Sequence, residues 1–150
     1  MIEKANLAGK PVMVGGQIVE SMMKAPRPSR QESTDILNAV LDGADCVMLS
    51  GVTAVGDYPI NAVTILTKIM LETERTINYK LVFNDLKLYT PLPISTAESV
   101  ATAVCSAIIE KKDIQLIVAL TQTGKLARAI AKYRPEVHIV AASPSDQVCK

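Results

Sequence analysis

The pattern of apolar and polar positions in the first half of the chain predicts a strand, a helix and a second strand. Pro11–Val14 and Cys46–Leu49 are apolar runs of strand length. Between them, apolar residues recur at spacings of three and four, which is the period of a helix with one buried face. Ser29 and Glu32 match the capping-box pattern at the start of this helix, which we place at 30–42. The order of elements predicts two parallel strands with both following loops on one edge.

Glycines stand where these elements end. Gly43 follows the predicted helix, where a residue without Cβ takes a left-handed turn at least cost. Gly15 and Gly16 follow the first strand, and the segment 50–57 follows the second. Because ligands bind at the carboxyl ends of parallel strands, we expect chemistry in the segment 50–57.

The helical period resumes at Pro59, continues to about Tyr79 and is then lost. Residues 80–94 include Pro91 and Pro93, and proline and the residue before it both disfavour helix. We therefore interpret this segment as extended and place a connector within it. The predicted organisation is a first domain, a connector and a second domain, over residues 1–84, 85–94 and 95–150.

The second half of the chain again alternates helix and strand. Ser95 and Glu98 form another capping-box pattern, before a helix that reaches about Lys111. The near-continuous apolar run 114–120 is typical of a parallel strand that is buried on both faces. The remaining elements are predicted to be a helix at 125–133, a strand at 137–142 and the start of a helix after Pro144. The fold class is α/β, with two parallel strands in each half, which are too few to bury a core without further partners.

Composition and charge limit the classes of partner. The formal net charge is +1, 3% of residues are aromatic, and no apolar run approaches the roughly 20 residues that cross a bilayer. We therefore expect no nucleic-acid and no membrane partner. The start of the chain lacks the apolar core of a secretory signal, which favours a cytoplasmic location. Cys46, Cys105 and Cys149 are odd in number and widely spaced, as expected for reduced, mostly buried thiols rather than disulfides or metal ligands.

The turn between the predicted strand 114–120 and helix 125–133 is a candidate anion site. Hydroxyls and backbone N–H groups at a helix N-terminus suit a phosphate, and a lysine adds positive charge. The candidate phosphate-binding residues are Thr121, Thr123, Gly124 and Lys125. The alternative is a hydroxyl-rich turn that only caps the helix.

Several segments resemble the pyruvate kinase family. They are GGQIVESM at 15–22, PRPSR at 26–30 and the run 38–59, with YRP at 133–135 as a further landmark after the turn 121–125. The likeness extends over essentially the whole chain. It implies the last two β/α units of a TIM-type (β/α)8 barrel, followed by the first part of a parallel α/β C-terminal domain.

The resemblance also implies an activity. The family transfers a phosphoryl group between phosphoenolpyruvate and ADP, using magnesium and usually potassium, at the carboxyl ends of the barrel strands. About two strands of the barrel are represented here, so the resemblance implies that this chain alone binds neither metal ion and lacks most of the active site. In many members, the loop similar to 121–125 holds a phosphate of a sugar-bisphosphate activator. A homo-oligomer, or association with a family subunit, is the expected assembly.

Two family motifs are altered in this sequence. Gly15 and Gly16 stand where the family has alanine and threonine, and the family threonine hydroxyl is associated with proton delivery to the enolate. We assign both glycines to the substrate-binding position and expect no catalytic residue. Val52 and Val55 stand where the family has glutamate and lysine. Two hypotheses follow: a phosphotransferase of the pyruvate kinase type that is incomplete and inactive as this chain, or a non-catalytic interaction or phosphate-sensing module.

Overall fold

The chain forms two compact units in the computed structural model, which describes residues 1–111 and 113–149. The first unit comprises Met1–Ala5 and Pro11–Ile77, and the second comprises Asn6–Lys10 and the chain from Asn78 onward. Among the thiols, Cys105 is buried, whereas Cys46 is exposed, and the side chain of Cys149 lies outside the described part.

The first unit contains one pair of parallel strands. β1 (Met13–Val14) pairs with β2 (Cys46–Val47), and both strands are shorter than the apolar runs that predicted them. Helix α1 spans Ile2–Leu7, and only its residues up to Ala5 belong to this unit. Helices α2 to α4 span Arg30–Leu41, Gly51–Ala54 and Pro59–Glu74, and a 3-10 helix spans Glu20–Met23. The buried core of the unit consists of Val19, Met22, Ile36, Val52, Ala62 and Leu66.

The capping box predicted at the start of α2 is confirmed, and a second serine extends it. Ser29 Oγ accepts a hydrogen bond from Glu32 N (3.3 Å), and Glu32 Oε2 accepts one from Ser29 N (2.8 Å). Ser21, on the 3-10 helix, donates its backbone N–H to Glu32 Oε1 (2.8 Å) and its hydroxyl to Oε2. Desolvation raises the pKa of Glu32, but the hydrogen bonds from Ser21 and Ser29 outweigh it and lower this pKa to about 2.

Glu32→Gln is expected to lower the free energy of unfolding of the first unit by about 1–3 kcal/mol at neutral pH, since an amide replaces the charged acceptor. The folded pKa lies below the ordinary value of 4.5, so the carboxylate stabilises the fold above that pH and loses this contribution as the pH falls towards 2. Urea unfolding followed by circular dichroism should therefore show a deficit at neutral pH that shrinks in acid. Asp35→Asn, an exposed change on the same helix, is the control, and a deficit independent of pH would contradict the assignment.

The second unit is built on five-residue parallel strands. β3 (Leu116–Leu120) pairs with β4 (His138–Ala142) along its whole length. Helices α5 to α8 span Tyr79–Tyr89, Thr96–Glu110, Lys125–Lys132 and Asp146–Cys149. The buried core of the unit consists of Phe83, Leu86, Ala101, Cys105, Ile108, Ile117, Ala119, Ile130 and Tyr133.

The two faces of β3 differ in burial. Ile117 and Ala119 belong to the core, whereas Leu116, Val118 and Leu120 are between 48% and 78% exposed. The prediction that this strand is buried on both faces is therefore wrong for this chain. In the described residues, the core packs against one face of the sheet and leaves an apolar face open.

The prediction of an extended segment at 80–94 is wrong for residues 80–89, which belong to helix α5. The prolines at 91 and 93 restrict themselves and the residues before them, but they do not reach back to this helix. Asn78 caps α5, its Oδ1 accepting from Leu81 N (3.2 Å), and Phe83 and Leu86 bury one face of the helix. Helix α4 correspondingly ends at Glu74, earlier than predicted.

Candidate functional site

Gly15 and Gly16 lie at the carboxyl end of β1, and their surroundings differ. A Cβ on Gly15 would stand 2.6 Å from Met48 Cε, at the flexible end of that side chain. A Cβ on Gly16 would meet nothing within 4 Å, but Gly16 has φ +96°, a conformation that L residues rarely adopt. Of the two substrate-binding residues predicted from sequence, Gly16 is therefore open in space and restricted in its backbone, whereas Gly15 is in close contact with Met48.

The segment after Gly16 contains a second left-handed residue. Val19 has φ 49° and is fully buried, immediately before the 3-10 helix. A β-branched residue at positive φ is an outlier that its surroundings must hold in place. No local sequence signal predicts this conformation, because β-branched residues normally avoid it.

The segment after β2 contains the one-turn helix α3 (Gly51–Ala54). Val52 is buried in the core of the first unit, while Val55 is 71% exposed. Val52 and Val55, which the resemblance sets against charged family residues, thus have different environments. Val52 is a core residue, and a carboxylate at its position would need a partner.

The Thr121–Lys125 turn is held by hydrogen bonds at the carboxyl end of β3. Thr121 N donates to Ala142 O (2.9 Å), and Thr121 Oγ1 accepts from Gly124 N (3.0 Å). Gly124 has φ 74° and precedes α7, which begins with the exposed Lys125. No side chain of the described residues caps an N–H group within α7, so the capping role that the alternative interpretation assigns to this turn is not seen, and the turn places a lysine at the helix N-terminus.

An open cleft of about 380 Å³ lies beside this turn, at the carboxyl ends of β3 and β4. It is lined by Leu120, Thr121, Gln122, Ala142, Ser143 and Pro144. Of the four predicted phosphate-binding residues, only Thr121 is in this lining. Thr123, Gly124 and Lys125 lie further along the same turn.

Sequence reasoning missed a polar cluster in the second unit, which we call the Lys132 cluster: Thr90, Glu98, Lys132 and Tyr133. Lys132 Nζ contacts Glu98 Oε1 and lies 3.1 Å from Thr90 Oγ1, while Tyr133 Oη donates to Glu98 Oε1 (3.1 Å). Burial is the main cause that raises the pKa of Tyr133. Ser95 caps α6 as predicted, its Oγ accepting from Glu98 N (3.3 Å), but the Glu98 carboxylate belongs to the cluster. The partners are too far apart in sequence for a local pattern.

The chain is an α/β protein in which each unit contains one pair of parallel strands. Family models match both halves of the chain. The barrel domain of pyruvate kinase matches residues 1–63, and its alpha/beta domain matches residues 98–150. The chain belongs to the pyruvate kinase family.

In the described residues, no helix has the length and apolar character needed to span a membrane.

Relatives and solved structures agree with this membership. Pyruvate kinase from Dictyostelium discoideum is 52% identical over 147 residues, which are 95% of this chain and 29% of the relative. The enzyme of Lachancea kluyveri is 48% identical over all of this chain and 30% of its own length. A crystal structure of pyruvate kinase from Cryptosporidium parvum, 41% identical, superposes on 98% of this chain and 30% of that one with a TM-score of 0.90. The chain thus spans about 30% of these relatives, and the predicted fold class is confirmed.

Proposed function

We propose that the chain carries part of a phosphotransferase site of the pyruvate kinase type, acting between phosphoenolpyruvate and ADP, and that it is inactive by itself. The supporting observation is the position of Gly15 and Gly16 at the carboxyl end of β1, in a chain of this family. Glycine has no side-chain donor, so neither residue supplies the hydroxyl that the resemblance assigns to proton delivery.

Two charges that the resemblance assigns to the segment after β2 are also missing from this chain. This reaction depends on positioning and on stabilisation of the transferring group by metal ions and cations. Val52 and Val55 supply neither charge. Over residues 1–111 and 113–149, no three His, Cys, Asp or Glu side chains converge as a metal site would require. We propose that the magnesium and potassium of the family are held by residues outside this chain.

A graft into a complete relative tests the proposal. Replacing the matching segment of the Cryptosporidium parvum enzyme with residues 1–150 should slow pyruvate formation by on the order of 10²–10⁴-fold, the usual contribution of a positioned acid–base group. A second graft, of residues 95–150 alone, leaves the barrel of the relative intact and should keep most of the activity. An unimpaired first graft would contradict the loss assigned to Gly16.

The second unit favours a second function, the binding of a phosphate group by a non-catalytic module. The Thr121–Lys125 turn joins hydroxyls, a helix N-terminus and an exposed lysine beside an open cleft. Titration with inorganic phosphate, followed by amide chemical shifts, should give a weak saturable shift at Gly124 and Lys125. Lys125→Met should weaken binding, whereas the exposed Lys111→Met in the same unit should not. Equal effects of the two substitutions would show that the attraction is nonspecific.

Self-association, with a second copy or with a family subunit, is the assembly that we propose. The support is the apolar face of β3 and β4, where Leu116, Val118, Leu120 and Val140 are each at least 48% exposed. Light scattering should show species larger than a monomer, and Val118→Lys should reduce them more than Val55→Lys. A monodisperse monomer with one sharp melt would contradict this proposal.

The proposed location is cytoplasmic, as the name of a Glycine max relative, a cytosolic isozyme, suggests.

A further inference from the structure

The Lys132 cluster ties the C-terminal end of α7 to two neighbouring helices. The side chain of Lys132 is 8% exposed and that of Glu98 is 21% exposed. Lys132 Nζ also lies 5.2 Å from the centroid of the Tyr133 ring. Thr90 ends α5 and Glu98 lies in the first turn of α6, so the cluster fixes α7 against both.

We propose that the Lys132 cluster is a positioning device for the Thr121–Lys125 turn at the other end of α7. The strand half of this turn is held by the sheet, through Thr121 N and Ala142 O. The helix half, Gly124 and Lys125, is carried by α7. The 3.0 Å hydrogen bond from Gly124 N to Thr121 Oγ1 joins the two halves, so it forms only when α7 is correctly placed relative to the sheet.

Helix α7 is short and packs on the core through apolar contacts. Helix α7 has 8 residues, so it extends about 12 Å at 1.5 Å per residue. Its buried contact is Ile130, flanked by partly buried apolar residues. The hydrophobic effect is non-directional, whereas a hydrogen-bonded ion pair is directional. Removing one member leaves its partner buried without compensation.

The consequence for ligand binding rests on the phosphate-binding function proposed above. A phosphate in the turn would contact groups from both the strand half and the helix half. Any shift of α7 would separate them, so the cluster would set the affinity without touching the ligand.

Lys132→Met tests the proposal, because methionine keeps much of the aliphatic stem and removes the ammonium group. Lys111→Met is the matched control, with the same change of charge in the same unit but in an exposed pair whose N···O distance is 3.7 Å. For Lys132→Met, we expect hydrogen exchange of the Gly124 amide to accelerate by about 2- to 30-fold and the Kd for inorganic phosphate to rise by a similar factor. The control should stay within about twofold on both measures. Exchange at Ile117, in the core, separates a shift of α7 from general loosening.

Unchanged Gly124 exchange and unchanged phosphate affinity in folded Lys132→Met would overturn the proposal, as would an equal acceleration at Ile117. If Lys132→Met does not fold, Gly124 exchange and the Kd for inorganic phosphate are measured on Glu98→Gln instead. Lys132→Arg keeps the positive charge, so both quantities should stay close to those of the unmodified chain. If the unmodified chain shows no saturable shift with phosphate, the phosphate-binding function fails. Gly124 exchange then still decides whether the cluster positions the turn.

Discussion

Tyr133→Ala is expected to lower the free energy of unfolding of the second unit by about 3–5 kcal/mol, the usual cost of truncating a buried aromatic residue. Tyr133 is 1% exposed, packs edge-to-face on Phe83 with ring centroids 5.9 Å apart and donates to Glu98. The substitution therefore removes apolar contact and a hydrogen bond together. Since a domain is stable by about 5–15 kcal/mol, this loss should leave the unit close to unfolding.

Hydrogen exchange at Ile117 and Ala119, both in β3, measures the stability of this unit. Tyr89→Ala is the matched control, because Tyr89 is 61% exposed and its removal should cost less than about 0.5 kcal/mol. Tyr133→Phe keeps the ring and should cost about 0.5–1.5 kcal/mol for the lost hydrogen bond. Similar losses in the two alanine variants would contradict the central place of Tyr133 in the core.

Gly16→Thr, made in the graft into the Cryptosporidium parvum enzyme, is expected to raise the rate of pyruvate formation by about 3- to 2,000-fold. A positioned acid–base group contributes on the order of 10²–10⁴-fold. Against this, Gly16 has φ +96°, and a left-handed conformation costs an L residue about 1–2 kcal/mol, equivalent to about 5- to 30-fold. The space around Gly16 is open, so the threonine side chain adds no steric clash. The rate gained from the hydroxyl is therefore expected to exceed the rate lost to backbone strain.

Gly16→Val is the matched control for this substitution. Valine has the same branched shape and the same backbone restriction, but it has no hydroxyl. Its rate should be equal to that of the glycine graft or lower. If threonine and valine behave alike, the loss lies elsewhere, and Val52 and Val55 become the residues to restore.

Local signals predicted much of the fold where one segment contains all of the information. Helix α2 is an example, because Ser29 and Glu32 cap its start and Gly43 takes the left-handed turn after its end, with φ 93°. The same pattern at Ser95 and Glu98 predicted the helix correctly but not the use of the carboxylate. The Glu98 carboxylate binds Lys132, which is 34 residues away in the sequence, instead of the N-cap backbone. Only the tertiary fold brings two such distant residues together.

The candidate site was predictable in position rather than in conformation. Strand order placed Gly15, Gly16 and the Thr121–Lys125 turn at carboxyl ends of strands, and family resemblance supplied their proposed roles. The left-handed backbone of Val19 could not be predicted, because its residue type opposes it. Helix α5 was missed for a different reason: the prolines that follow it outweighed the apolar spacing of Phe83 and Leu86.

A coupled assay for pyruvate formation by the unmodified chain tests the central claim most directly. The chain is given phosphoenolpyruvate and ADP with magnesium and potassium, and the Cryptosporidium parvum enzyme serves as the positive control. The proposed role as an incomplete member of the family predicts a rate equal to that without protein. Turnover above this background, proportional to the concentration of the chain, would contradict it.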